Sequence, residues 1–355
     1  MENDLSTSII GLSRDDLRTY AAERGFPEFH GSQVFNWIYG KQADAFDHMT
    51  DIPIRFREQL KRDFSLHYFN PRDILRSNRG DTVKYFFPLE NNTGIEVVVL
   101  EDEKRRTTFC ISCQIGCPVG CIYCATGTAG FVRSLSAGEI VTEVLSLIKL
   151  HGEPDSILFM GMGEPLLNLK EVKTALSLFY EMGLSPRRIT VSTCGLIRGI
   201  RDLAMSGLRP RLAVSIGSAI EGKRKKLIPF ARGNSIQQLE HALIDYREKT
   251  RRRITIEYPL ISGVNNTTED ANALASFARS VKAHVNLIRY NPSPPHMRDQ
   301  NDHLSGRTKL TKPKPEEMKH FRKILTDRGL QVTERFHRGS DIDAACGQLL
   351  FRRLH

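Results

Sequence analysis

Three cysteines stand close together, in the run Cys117-Pro118-Val119-Gly120-Cys121-Ile122-Tyr123-Cys124. Their C-x3-C-x2-C spacing, beside Gly116 and Gly120, describes a short loop that presents thiolates to one centre. A cubane [4Fe–4S] cluster normally takes four cysteine ligands, so three leave one iron open to another ligand. Zinc is the alternative, but it prefers four protein ligands in paired C-x2-C form, and no second pair follows downstream. Cys113 tests the reading: a set of 113, 117 and 121 would be C-x3-C-x3-C, and only 117, 121 and 124 have the asymmetric spacing.

Two further stretches have residue types suited to chemistry. Gly161-Met162-Gly163-Glu164-Pro165 is a glycine-rich turn with a carboxylate. Near the end of the chain, Cys346 stands beside Gly347 and close to Asp341 and Asp343, in a segment without clear period. A lone cysteine is usually a small inert hydrophobe, yet these neighbours do not describe a core strand.

The elements that must position these residues follow from periodicity. Residues 1–68 read as a small helical module. A capping pair at Ser13 and Asp16 opens a helix over Asp15–Arg24, a second fits Ser32–Gly40, and a third fits Ile52–Phe64 with Pro53 in its first turn. Arg55, Arg57, Lys61 and Arg62 give this module a basic face, which fits a nucleic-acid contact or equally a solvated surface. Over 69–102 the period becomes two, and Val83–Phe87 and Ile95–Leu100 form a hairpin. Glu96 lies in its second strand, where residue type alone suggests the exposed face of an edge strand.

From 103 onward, strands alternate with helices. Strands are expected at Thr107–Ser112, Asp155–Met160, Arg188–Thr193, Leu212–Ile216, Ile254–Leu260 and Val285–Tyr290. Helices lie between them, one opened by the capping box Ser136-Ala137-Gly138-Glu139 and others at Ser235–Lys249 and Thr268–Lys282. Six such units predict an α/β fold built on a parallel barrel, complete or partial. Working groups in such barrels sit at the C-terminal strand ends. That rim collects the cysteine loop, Gly161–Pro165, Ser192, Ser215 and Asn291. The polar segment Asn291–Pro315 is a lid or a plain connector.

Composition sets outer limits. The chain has 355 residues, 40% of them hydrophobic and 26% charged, as in ordinary globular proteins. No apolar run approaches a membrane span, and the N-terminus lacks the pattern of a signal peptide. Seven cysteines, an odd number, argue against a disulfide framework and for a reducing cytoplasm. The formal net charge of +10 favours a polyanionic partner, although a basic soluble enzyme would carry it too.

The cysteine spacing, with Tyr123 before the third cysteine, resembles the radical S-adenosylmethionine (radical-SAM) superfamily. More closely, four stretches together resemble the RlmN/Cfr family of radical-SAM RNA adenosine methyltransferases: 46–52, 110–117, 161–168 and 341–348. The last is the most specific, because it adds a distal cysteine to the general pattern. The resemblance implies a partial (β/α)6 radical-SAM barrel over 103–341, with a small N-terminal helical domain, a β-hairpin extension, and a tail over 342–355 that carries a methyl-accepting cysteine. It implies a [4Fe–4S] cluster on Cys117, Cys121 and Cys124. It also implies two S-adenosylmethionine (SAM) molecules per turnover, bound through Gly163, Glu164, Ser192, Ser215 and Asn291. Cys346 would be the thiol that becomes methylated, Cys110 its partner thiol, and Glu96 the proton acceptor. The implied substrate is adenosine in 23S ribosomal RNA at carbon 2, with transfer RNA as a second target. A reducing donor such as flavodoxin and a monomeric state complete the expectation.

One position departs from the family pattern. Where the family has Ser-Leu-His after the fourth strand, this chain has Ser215-Ile216-Gly217, so a SAM contact from histidine is missing or comes from elsewhere. The departure leaves open a radical-SAM enzyme that methylates carbon 8 of adenine or acts on another RNA substrate. A non-catalytic iron–sulfur RNA-binding protein is the rival from another class. It would bind RNA without cleaving SAM to 5′-deoxyadenosine, and Cys346 would have no purpose in it.

Overall fold

In a computed structural model, residues 7–89, 93–292, 310–335 and 338–350 are described. The hairpin turn, most of the 291–315 segment and the last residues of the tail therefore lie outside the described residues. Strand β1 (Thr7–Ser8) pairs in parallel with β2 (Phe64–Ser65), closing the N-terminal helices between them. Helix α1 (Arg14–Glu23) opens with the expected reciprocal capping box of Ser13 and Asp16. Helix α2 (Glu28–Phe35) begins one turn earlier than its sequence suggests and runs into a single π turn, Asn36–Gly40. Gly31 lies inside α2 as a contact point with α1, since a Cβ there would lie 2.2 Å from the Leu17 carbonyl oxygen. Pro53 is the N-cap of α3 (Ile54–Asp63) and not a residue of its first turn.

The main sheet has ten strands and two free ends, so the barrel is partial. At one end β3 (Asp73–Arg76), β4 (Thr82–Leu89) and β5 (Thr93–Glu101) are antiparallel, and β5 continues antiparallel onto β6 (Thr107–Cys110). A small side ribbon follows, β7 (Gln114–Gly116) with β8 (Phe131–Ser134), flanking the short helix α4 (Ala125–Thr128). After it come the parallel strands β9 (Ser156–Phe159), β10 (Ile189–Thr193), β11 (Arg211–Ser215), β12 (Ile254–Leu260), β13 (His284–Arg289) and β14 (Val332–Arg335). With β6 they make seven parallel strands where six were expected. Helices α5 (Ala137–His151), α6 (Leu169–Glu181), α7 (Ile197–Met205), α8 (Glu221–Leu227), α9 (Ile236–Thr250), α10 (Thr268–Ser280) and α11 (Pro315–Asp327) connect them.

Two strands escape the sequence pattern for one reason. Edge strands bury little, so alternation fades: all four residues of β3 are exposed, and β14 is short and polar. The expected strand to Ser112 stops at Cys110, because the Ser112 N–H is taken by the Glu143 carboxylate at 2.8 Å. Inside the barrel wall, Ile157, Val191, Val214, Ile256 and Leu287 are fully buried. Truncating Ile157, Ile256 or Leu287 to alanine should cost about 2–5 kcal/mol. Glu96 is not on an edge, since β5 lies between β4 and β6 and the residue is 2% exposed.

Candidate active site

The C-terminal strand ends open on a cleft of about 940 Å³, counting the solvent in its mouth. Its wall brings together Cys117, Cys121, Cys124, Gly163, Glu164, Ser192, Ser215, Asn291 and Cys346. Cys110 and Glu96 are not in that lining; they stand on β6 and β5 of the same sheet and share one of its faces. Alternate strand residues share a face, and Val98 is paired with both Cys110 and Lys84, so Lys84, Glu96, Val98 and Cys110 face the same way.

The cysteine loop is held from several sides. The Cys117 N–H donates to the Gly130 carbonyl at 2.8 Å, and the Ile122 N–H to the Leu227 carbonyl at 3.1 Å. Gly116 has φ 76°, and a Cβ there would lie 2.2 Å from the Gly130 oxygen, so only glycine fits. Burial pushes the Cys117 thiol up to about 12, and raises Cys121 and Cys124 likewise. Such thiols stay protonated until a metal takes them as thiolates. Among the described residues, no three His, Cys, Asp or Glu side chains converge on the position of a single metal ion. A cubane does not require that convergence, because each thiolate binds a different iron.

Cys113 has a packing role. It is 2% exposed, its Sγ lies 3.6 Å from the Met162 carbonyl oxygen, and a Cβ on Gly163 would lie 2.8 Å from that sulfur. The thiol thus seats the glycine turn. Glu164 ties two strand ends together: one oxygen accepts from Leu166 N–H at 3.0 Å and the other from Cys194 N–H at 2.7 Å. Burial raises its pKa against these bonds. Asn291 is 4% exposed, and both polar atoms of its side chain lack a partner. A buried amide left unmatched on donor and acceptor costs free energy, so this one is suited to a ligand carrying both functions.

The tail folds over the rim and is laced to the cysteine loop. Ala125 N–H donates to the Gly347 carbonyl at 2.7 Å, and the Thr126 hydroxyl to the Leu349 carbonyl at 2.5 Å. Cys346 therefore lines the cleft although it is distant in sequence. None of the seven cysteines is in a disulfide.

Sequence reasoning passed over several residues. Glu257 lines the cleft, buried, with Asn286 Nδ2 3.2 Å from both its oxygens. Cys194 lines it as well. Arg224 is 1% exposed and donates to the Ile216 and Cys194 carbonyls at 2.7 and 2.8 Å. It sits inside the charge run Lys223–Lys226, in which Lys223 pairs with buried Asp270 and Lys225 with Glu221. Lys84 had a legible signal, a lysine inside an apolar strand next to a strand with an apolar-flanked glutamate.

The fold and the cleft at its rim define a radical-SAM enzyme, and residues 111–275 match the model of the Radical SAM superfamily. Residues 7–66 match that of the ribosomal RNA large subunit methyltransferase N-terminal domain. A probable dual-specificity RNA methyltransferase RlmN from Thermotoga neapolitana is 37% identical over 350 residues, covering 98% of each chain. Its counterpart from Salinibacter ruber is 38% identical, over 95% of this chain and 92% of that one. The crystal structure of a radical SAM methyltransferase from Sphaerobacter thermophilus superposes with a TM-score of 0.88 at 36% identity, covering 97% of this chain and 99% of that one. The chain belongs to the RlmN/Cfr family of radical-SAM RNA methyltransferases. Membership implies a [4Fe–4S] cluster and SAM as cofactors. Among the described residues, no helix is long and apolar enough to cross a membrane.

Proposed function

We propose that this protein methylates a ring carbon of adenosine in RNA, carbon 2 in 23S ribosomal RNA and also in transfer RNA, through an S-methylcysteine on Cys346. The relatives' description as dual-specificity RNA methyltransferases supports two RNA targets. The observation that carries the reading is the place of Cys346, on the wall of the cleft that Cys117, Cys121 and Cys124 also line. A radical-SAM site without a methyl-carrier thiol has no need of it.

Cys117, Cys121 and Cys124 would hold the cluster. Gly163, Glu164, Ser192, Ser215 and the unpartnered amide of Asn291 would hold SAM. When bound, these groups supply the methyl group and a hydrogen-abstracting radical. The chain's own residues do the rest. Cys346 carries the methyl carbon to the adenine, which a C–H ring carbon is too weakly nucleophilic to take up directly. Glu96 accepts the ring proton. Cys110, on the same sheet face, attacks the Cys346 sulfur as a thiolate and frees the product, a transient disulfide fitting a reducing compartment. The target base would be unstacked into the cleft, as in other base-modifying enzymes. On this reading residues 1–68 and 69–102 accompany a core over 103–341, and 342–355 is the carrier segment.

Comparing modified nucleosides by mass spectrometry in RNA from cells with and without the gene tests the proposal. Loss of 2-methyladenosine is expected. Loss of 8-methyladenosine instead, or of neither, would overturn it.

A further inference from the structure

Lys84 is buried in the barrel wall, 4% exposed, and the mechanism above gives it no task. Its ammonium lies 3.3 Å from Glu96 Oε1 and donates to the Asp343 carbonyl at 3.1 Å. Glu96 Oε2 in turn accepts the Leu350 N–H at 2.9 Å. The two partners of one buried ion pair thus hold the tail at both ends of the 343–350 loop, and Cys346 lies between the two points.

We infer that Lys84 is a positioning residue: with Glu96 it clamps the carrier loop so that Cys346 is presented to the cleft. The inference rests on the reading of Cys346 as methyl carrier. Its physical basis is the cost of burying charge. Two buried ions are tolerated only when paired and when their remaining valences are satisfied. Here each member of the pair also hydrogen-bonds tail backbone, Lys84 one carbonyl and Glu96 one N–H. Lifting the loop therefore takes one buried hydrogen bond from each member of the pair, which favours a single loop position. Neutral side chains at 84 and 96 would pack the wall without this coupling. The clamp also accounts for a lysine buried on a face that it shares with Phe86 and Val98.

The test uses the reconstituted holoenzyme with RNA, SAM and a chemical reductant, and reads the ratio of 5′-deoxyadenosine formed to adenosine methylated. A variant that only destabilises the fold lowers both together and leaves the ratio alone. Lys84→Met should raise the ratio at least fivefold, because SAM is cleaved while Cys346 is misplaced. Lys84→Arg, which can reach both acceptors, should stay within twofold of the wild type. Leu350→Pro deletes the N–H at the other end without touching the barrel, and should uncouple as Lys84→Met does. It decides the matter if Lys84→Met does not fold. A second readout needs no RNA: the rate of Cys346 alkylation by iodoacetamide in the resting protein should rise at least threefold in Lys84→Met and Leu350→Pro. If the wild type methylates RNA but neither ratio nor alkylation changes in a folded variant, the clamp is wrong. If alkylation accelerates while the wild type methylates no RNA, the clamp stands and the proposed function falls.

Discussion

Ala125 and Gly347 are joined by a backbone hydrogen bond of 2.7 Å. Each directly follows a cysteine that lines the cleft, Cys124 of the loop and Cys346 of the tail, so the bond brings together two thiols from distant parts of the chain. Gly347 has φ 85°, and a Cβ on it would lie 3.3 Å from the Tyr123 carbonyl oxygen. Glycine is required there both for the left-handed backbone and for the close approach. The loop and the tail therefore form one structural unit, although they belong to different ends of the sequence.

Cys121→Ala should abolish stable cluster binding, since three thiolates are the minimum for a cubane with one open iron. Iron analysis and absorption near 400 nm of reconstituted protein check this. A variant with full iron content and full SAM cleavage would contradict the assignment.

Cys110→Ala and Cys346→Ala should fail at different stages. Without Cys346 no adduct forms; without Cys110 the adduct forms and is not resolved. Denaturing gels of the two variants purified from RNA-containing cells should show protein covalently joined to RNA only for Cys110→Ala. Normal turnover by both variants would rule out the two-thiol mechanism.

Gly217→His would restore the family's residue, but the backbone here opposes it. Gly217 has φ 67°, and a Cβ would lie 3.2 Å from Ile228 Cδ1. A side chain held in the left-handed region costs about 1–3 kcal/mol. Gly217→His should therefore lower stability by about that amount in denaturant melts and leave SAM affinity no better than wild type.

Glu143 is fully buried, with one oxygen on the Ser112 N–H and the other without a partner. Burial raises its pKa well above the carboxylate range, outweighing that hydrogen bond. The folded state thus holds this proton more tightly than the unfolded chain does. Its contribution is complete below the unfolded value, near 4.5, and is lost as pH rises toward the folded one. Glu143→Gln removes the titration, so its melting temperature should gain on the wild type between pH 5 and pH 8. A constant difference across that range would show that Glu143 does not titrate there.

Neutralising Arg251, Arg252 and Arg253 should leave RNA affinity within about twofold. These residues precede β12, at the strand end opposite the cleft, and Arg252 donates to the Arg209 carbonyl at 2.9 Å. Binding should still weaken as salt rises, through phosphate contacts elsewhere. A tenfold loss in the triple variant would place RNA on the far rim.

Local pattern was enough for much of this protein. The cysteine spacing, the capping boxes at Ser13, Ser136 and Ser235, and the run of buried strands all express interactions between residues close in sequence. From them the alternating barrel and its working rim were legible. Residues with a mixed environment were not. Gly31 packs against the Leu17 carbonyl of α1, and Lys223 pairs with Asp270 buried beneath it, contacts that no local pattern marks. Edge strands β3 and β14 bury too little to leave a pattern. The position of Cys346, the burial of Glu96 beside Lys84 and the left-handed Gly217 depend on contacts between distant segments. A side chain's partner across the fold, and with it the cost of its charge or its backbone angle, is decided only when tertiary packing removes water and supplies that partner.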